Sequence, residues 1–323
     1  MRTLIGQGFY RNQLNLSDWC AKCAGKLFLS GVKMNEHGQP PILRAAQYSW
    51  SFTIHSFVRT LPAFLVRALI AGATMAAVCS TLNGGAVPLD LLGNILGLAI
   101  TFSCLAMALR LALAGSFEGF TGLQFGQDEI RLFFAHIIYY ALLFFLGMVA
   151  IFVVVLLTLP LFAMLAPDMT AIADDPEAFQ QMMEEFSRSP RGTFLSVVIL
   201  LLTSLPLLYL AARLVTFPAA TLMRKRIMIF ETWSWTKGHV RPVILALLLT
   251  LAPLWILMMA GVWVSSGVSG IPITVGSPLA GDVVLNPLSG FVFGFLTSVF
   301  SIPFTLAGAG LSAFMYKGFD PEA

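Results

Sequence analysis

Six stretches of this chain are predominantly apolar over about twenty residues each, and that property limits what the chain can become. At ~1.5 Å of rise per helical residue, twenty residues cross the ~30 Å hydrocarbon core of a bilayer. Of the 323 residues, 58% are hydrophobic and only 11% charged, whereas a typical soluble domain carries about 25% charged residues. Mean hydropathy is +0.84. A soluble fold of this length has no way to cover so much apolar surface. In hydrocarbon every backbone N–H and C=O must be satisfied within the segment, so apolar spans of this kind are helices. The expected fold class is therefore all-α: a polytopic transmembrane helical bundle of six spans with interfacial amphipathic helices.

The expected spans are 61–80, 91–109, 138–163 within the apolar run from Leu132 to Leu165, 194–213, 243–264 and 290–316, forming one membrane domain over 61–317. Ahead of it lie a cytoplasmic extension, 1–40, and an interfacial helix, 41–60; a short tail, 318–323, follows. The first forty residues carry Arg2, Arg11, Lys22, Lys26 and Lys33 and no apolar core, so no cleavable signal peptide is expected and the first span acts as its own insertion signal. Basic residues near span ends stay on the cytoplasmic side. With both termini inside, sixteen of the nineteen bases fall in cytoplasmic segments, leaving Arg188 and Arg191 outside and Arg67 within the first span. The expected localisation is the bacterial inner membrane, with N- and C-termini cytoplasmic.

Six of the sixteen acids lie between spans three and four, where Asp174-Asp175-Pro176-Glu177 opens an amphipathic helix running to Phe186. That helix lies on the headgroup surface, or else binds a metal or a partner. The Gly- and Ser-rich loop 265–289 packs over the bundle or re-enters it. Between Pro41 and Arg59, the polar residues Arg44, Gln47, Ser51, His55 and Arg59 fall at helical spacing, with Leu43, Ala46, Trp50, Ile54 and Phe57 on the other side. His136 and His239 each follow an arginine, Arg110 and Arg213, by 26 residues, and Ser204-Leu205-Pro206 is echoed by Ser301-Ile302-Pro303. These echoes are either a threefold repeat of interfacial helix plus hairpin or a coincidence of biased composition. Gly72 and Ala76, Gly93 and Gly97, and Gly290 and Gly294 have the four-residue spacing that lets helix backbones approach.

Few residues carry chemistry. Cys20 and Cys23 form a Cys-x-x-Cys, half of a zinc site or a redox pair, but the other two cysteines, Cys79 and Cys104, belong to spans, so reduced thiols without metal are expected. Arg67 lies two turns into span one, where it either snorkels to headgroups or serves an ion path. The four histidines match no His-Glu-x-x-His, and neither Gly-x-Ser-x-Gly nor a Walker-type loop is present. No enzyme, cofactor or metal is expected. With a net charge of +3 and no long basic run interleaved with aromatics, nucleic acid is not an expected partner.

The segment between spans four and five reads Arg213-Leu214-Val215-Thr216-Phe217-Pro218, then Arg224-Lys225-Arg226, then Thr232-Trp233-Ser234-Trp235-Thr236-Lys237-Gly238-His239, with Arg241 following. It resembles the signature of the membrane domain attached to some bacterial glycerophosphodiester phosphodiesterases and of stand-alone six-helix inner-membrane proteins that share it. In that family a span-ending Arg is followed five residues later by Pro, and a Ser-Trp-x-Leu-Thr-(Lys/Arg)-Gly stretch leads into the next span. Thr232 and Trp235 depart from the pattern. The resemblance implies a six-helix inner-membrane protein, with phosphodiester hydrolysis confined to a separate soluble barrel that this chain lacks. On physical grounds the same bases flank two tryptophans at the inside surface, where each can add ~1 kcal/mol of attraction to anionic lipid. The leading expectation is a non-enzymatic bundle engaging phospholipid headgroups in envelope maintenance or lipid handling. Its rivals are a permease-like carrier of a lipid or small amphiphile, with a cavity lined by Arg67, Asn94, Thr203 and Ser204, and an assembly partner of a second copy or another membrane protein.

Overall fold

The computed structural model describes residues 42–82, 87–117, 119, 121–165, 186, 188–271 and 286–319. The extension 1–40 with Cys20, Cys23 and His37, the acidic segment up to Glu185, loop residues 272–285 and the tail after Phe319 lie outside the described residues. Among those described there are nine helices and no strands: α1 (Ile42–Leu82), α2 (Val87–Ala114), α3 (Gln127–Leu165), α4 (Pro190–Arg213), α5 (Phe217–Arg224), α6 (Ile229–Trp235), α7 (Val240–Ser269), α8 (Pro287–Phe300) and α9 (Ile302–Phe319). They provide six segments long and apolar enough to cross a bilayer. The protein is a multi-pass α-helical membrane protein.

Several helices run past the expected span ends. The segment 41–60 and span 61–80 are one helix, α1, of 41 residues with Pro62 inside it, or ~62 Å at 1.5 Å per residue. The face it buries in its first half is Ala45, Ser49, Phe52, Thr53, Ser56 and Thr60, while Leu43 and Ile54, from the apolar side expected to meet the interface, are exposed. The polar members of this face are satisfied locally: Ser49, Thr53 and Thr60 hydroxyls donate to the carbonyls of Ala45, Ser49 and Ser56 at 2.8–2.9 Å. A hydroxyl bonded to its own helix behaves as a small packing group, so Ser and Thr can line a helix contact. Helix α7 extends to Ser269 and ends where Gly270 turns left-handed, so the following loop starts later than 265. The sixth span is two helices, α8 and α9, interrupted at Ser301 because Pro303 has no N–H to continue the ladder.

The chain divides into two compact units, residues 1–135 with 215–323, and His136–Leu214. In the first, α1 is the spine, and α2, α7, α8 and α9 pack along it. Its closest contact is with α8: a Cβ on Gly294 would come within 2.6 Å of the Ala71 carbonyl oxygen, and one on Gly290 within 2.9 Å of the Met75 carbonyl oxygen. Gly72 faces the same helix, its missing Cβ 2.9 Å from the Phe291 carbonyl oxygen. The small-residue spacings read in spans one and six thus meet each other.

The end of α2 is fastened by residues from both ends of the chain. An α-helix leaves its last four carbonyls without intrahelical partners. Here the Tyr48 hydroxyl donates to Ala112 O (3.1 Å), Lys317 Nζ to Leu113 O (3.2 Å) and Arg59 to Gly115 O (3.2 Å), while Gly115, at φ +74°, closes the turn with its N–H on Leu111 O. The cations also favour the negative end of the helix dipole. One turn earlier, Arg110 pairs with buried Glu129 at 2.7 Å and with Asp128 at 3.5 Å in the first turn of α3. Glu129 also accepts from the Gly126 N–H, capping that helix.

The second unit holds the rest of α3 and all of α4. Ser189 caps α4 by accepting from the Gly192 N–H, with Pro190 at the start of the helix. An apolar groove in this unit is lined by Ala150, Val153, Val154, Leu157, Leu202 and Pro206 among others.

Candidate functional site

The segment expected to form a basic cytoplasmic loop is mostly folded. In α5, Phe217, Ala219, Ala220, Thr221 and Leu222 are buried against α9 and α2. Two small residues in succession allow this, because they let α5 approach α9 closely enough for the Ala219 N–H to reach Ser312 Oγ at 3.4 Å. Pro218 sits in the first turn of α5, where its missing N–H costs nothing. Lys225 ends the helix in a left-handed conformation, φ 50°, that is uncommon for a side-chain-bearing residue. Thr221 then accepts from the Met228 N–H, tying the turn to α6.

Within the Trp233-Ser234-Trp235-Thr236-Lys237-Gly238 stretch the roles divide. Trp235 packs on the core with its ring 6.2 Å from that of Tyr316. Thr232 and Thr236 are fully buried, and the Thr232 hydroxyl donates to Ile229 O at 2.9 Å. Gly238 takes φ +83°, which lets the chain turn into α7. These residues build the corner. Trp233, Lys237 and Arg241 are exposed, as are Lys225 and Arg226. Arg224 is half-buried. Arg226 forms an exposed ion pair with Glu231 at 2.9 Å, a contact worth at most about 1 kcal/mol.

Residues that the sequence reading passed over complete this surface. Met223, Ile227 and Phe230 are exposed at 51%, 43% and 71%, beside the bases. The available signal was the alternation Met223-Arg224-Lys225-Arg226-Ile227, followed by Phe230 and Trp233, in which apolar and cationic groups share one exposed rim. Such a mixture matches the boundary between headgroups and acyl chains.

Arg213 belongs to the second unit, apart from the rest of the signature. It is buried, with its guanidinium 5.7 Å from the centre of the Tyr209 ring in the preceding turn. The four residues named for a transport cavity also divide between units. Thr203 and Ser204 of α4 donate to the carbonyls of Ile199 and Leu201 in their own helix. Asn94 is exposed. Arg67 instead reaches across to the start of α9, donating to Ser301 Oγ and, at 3.5 Å, to Thr305 Oγ1, with its guanidinium 5.6 Å from the Phe64 ring centre.

Contacts chain the charged groups of the first unit together at one end: Arg59 and Lys317 on the end of α2, Arg110 on the start of α3, Trp235 on Tyr316 and His239 on Phe319. Arg67 is set apart from them. No family, curated protein or solved structure matches this chain.

Proposed function

We propose that the protein is a non-enzymatic component of a bacterial inner membrane whose rim from α5 to the start of α7 engages anionic phospholipid headgroups, in envelope maintenance or lipid handling. Its likeness to the membrane domain of bacterial glycerophosphodiester phosphodiesterases is part of the same proposal, as is a cytoplasmic location for both termini. The observation that carries it is that exposed Lys225, Lys237 and Arg241, at the end of α5, in the turn after α6 and at the start of α7, accompany exposed Phe230 and Trp233 on the short helix α6, whose Ile229 and Thr232 are buried. Aromatic rings enter the interface while the ammonium and guanidinium groups meet phosphates, and at ~1 kcal/mol per base three such groups give a substantial preference for anionic over neutral bilayers. Folding of the corner preorganises the rim, so little conformational entropy is lost on contact.

Replacing Lys225, Lys237 and Arg241 together with Gln is expected to reduce binding of the detergent-purified protein to immobilised phosphatidylglycerol nanodiscs at least about tenfold, with the loss shrinking as salt is raised. Binding to phosphatidylcholine nanodiscs should be unchanged. Equal binding of variant and parent to phosphatidylglycerol would remove the lipid-rim reading. Cysteine labelling from each side of the membrane at positions 225 and 188 tests the orientation: accessibility of 225 from the periplasmic side would reverse it.

A further inference from the structure

We infer that Arg67, with the Ser298 hydroxyl of α8, forms a binding site for a phosphate-class oxyanion inside the spanning part of the first unit, separate from the α5–α7 rim. Arg67 lies eight residues along α1 from Arg59, the nearest charged residue on that helix, a separation of ~12 Å. Its guanidinium stays charged in any environment. Yet among the described residues its hydrogen-bond and ring partners are neutral: Ser301 Oγ, Thr305 Oγ1 and the face of Phe64. The described carboxylates that form ion pairs, Asp128, Glu129 and Glu231, pair with Arg110, Arg131 and Arg226. A half-buried cation with no anion beside it among the described residues is unfavourable at low dielectric.

Arg67 meets the sixth span at the break made by Ser301 and Pro303, where the C-terminal end of α8 adjoins the N-terminal end of α9 and the two helix dipoles offset, so its charge is left to its side-chain partners. A further observation points to an occupant. One turn before the break, Ser298 is 7% exposed and its hydroxyl has no hydrogen-bond partner among the described residues, as is also true of Thr297. Ser298, Ser301 and Thr305 follow one another at three- and four-residue spacing along one side of the broken span. The Ser301 and Thr305 hydroxyls already donate to the carbonyls of Ser298 (2.7 Å) and Ser301 (3.1 Å), so the donors open to a tetrahedral oxyanion on this side are the Arg67 guanidinium and the Ser298 hydroxyl. Phosphate on a lipid headgroup and free phosphate share that chemistry.

The test uses full-length protein in neutral detergent, stripped of lipid, with thermal unfolding followed against inorganic phosphate and, separately, against phosphatidylglycerol in mixed micelles. At least one of the two should raise the melting temperature saturably, and Arg67→Gln should weaken that ligand at least about tenfold. Dependence with phosphatidylglycerol alone assigns the site to a headgroup, and dependence with inorganic phosphate assigns it to a soluble anion. Ser298→Ala keeps the test decisive if the arginine variant does not fold. Its hydroxyl has no partner among the described residues, so the variant should melt like the parent without ligand yet bind the anion several-fold more weakly. The rim variant, with Lys225, Lys237 and Arg241 changed to Gln, should retain the effect. Absence of saturable stabilisation by either anion, or unchanged affinity in both Arg67→Gln and Ser298→Ala, would overturn the inference.

Discussion

The span formed by α2 and the span that contains α4 have similar mean hydropathy, 2.0 and 2.4 over their most apolar windows, yet 56% of the first window is buried and only 11% of the second. Apolarity therefore does not decide which helix enters the core. In water it would, but lipid tails solvate Leu as well as a protein interior does, so packing must be won by close approach and by hydrogen bonds. Helix α2 presents Ser103, Cys104, Ala106, Ala108 and Ala112, all fully buried. Helix α4 presents Leu200, Leu201 and Leu205, all more than half exposed. The same division separates the first unit, built on small residues and buried hydroxyls, from the second, whose long branched side chains face outward.

That contrast can be broken most forcefully at Glu129. Changing it to Ala leaves Arg110 without its closest partner in a buried pair and removes the Gly126 cap; a loss of about 3 kcal/mol is expected, read as a lower melting temperature in detergent. A glycine pair gives the next largest effect. Gly294→Leu should cost about 2–3 kcal/mol, because its side chain would meet the Ala71 backbone. The same change at Gly147, where a Cβ would only touch Leu207 at 3.9 Å, should stay below about 1 kcal/mol and can be stabilising through helix propensity. Truncating a core side chain is milder: Leu306→Ala, at a fully buried position of the first unit, is expected to cost about 2 kcal/mol. Phe152→Ala in the second unit removes a ring that is 64% exposed and should fall within about 0.5 kcal/mol. Equal losses at Leu306 and Phe152 would show that the two units are packed alike.

How much of this could be read in the chain follows from the same physics. The six apolar blocks were legible because length and hydropathy are properties of a segment alone, and the Gly72, Gly290 and Gly294 spacings were legible because close approach needs small residues wherever the partner lies. The inner face of α1 was not. The spacing of polar and apolar residues does not single out Ser49, Thr53, Ser56 and Thr60 as a packed face, since nothing local announces that a hydroxyl will be satisfied by its own helix and then packed. The helices between spans four and five are not legible in the sequence for a related reason: α5 is short, and α2 and α9 cover its Ala219, Ala220 and Leu222. Between α5 and α7, Lys225, Arg226, Lys237 and Arg241 are exposed, whereas Trp235 packs against the core and Thr236 is buried. Arg67 stood out as a charge in an apolar span; that it would lean on the Ser301 break could not be seen without α9 beside it.

The meeting of α1 with α8 sets a timetable for making the protein. The face of α1 around Ala71 and Met75 is complemented by Gly290 and Gly294, which leave the ribosome some two hundred residues later, an interval of roughly 10–40 s at ~5–20 residues per second. Throughout that interval the first span is inserted with its best contact surface unmatched, and the end of α2 lacks Lys317. Until translation finishes, lipid or the insertion machinery must occupy the notch, and a chain terminated before residue 287 would carry that notch permanently, as a mark by which membrane quality control could distinguish unfinished from finished molecules.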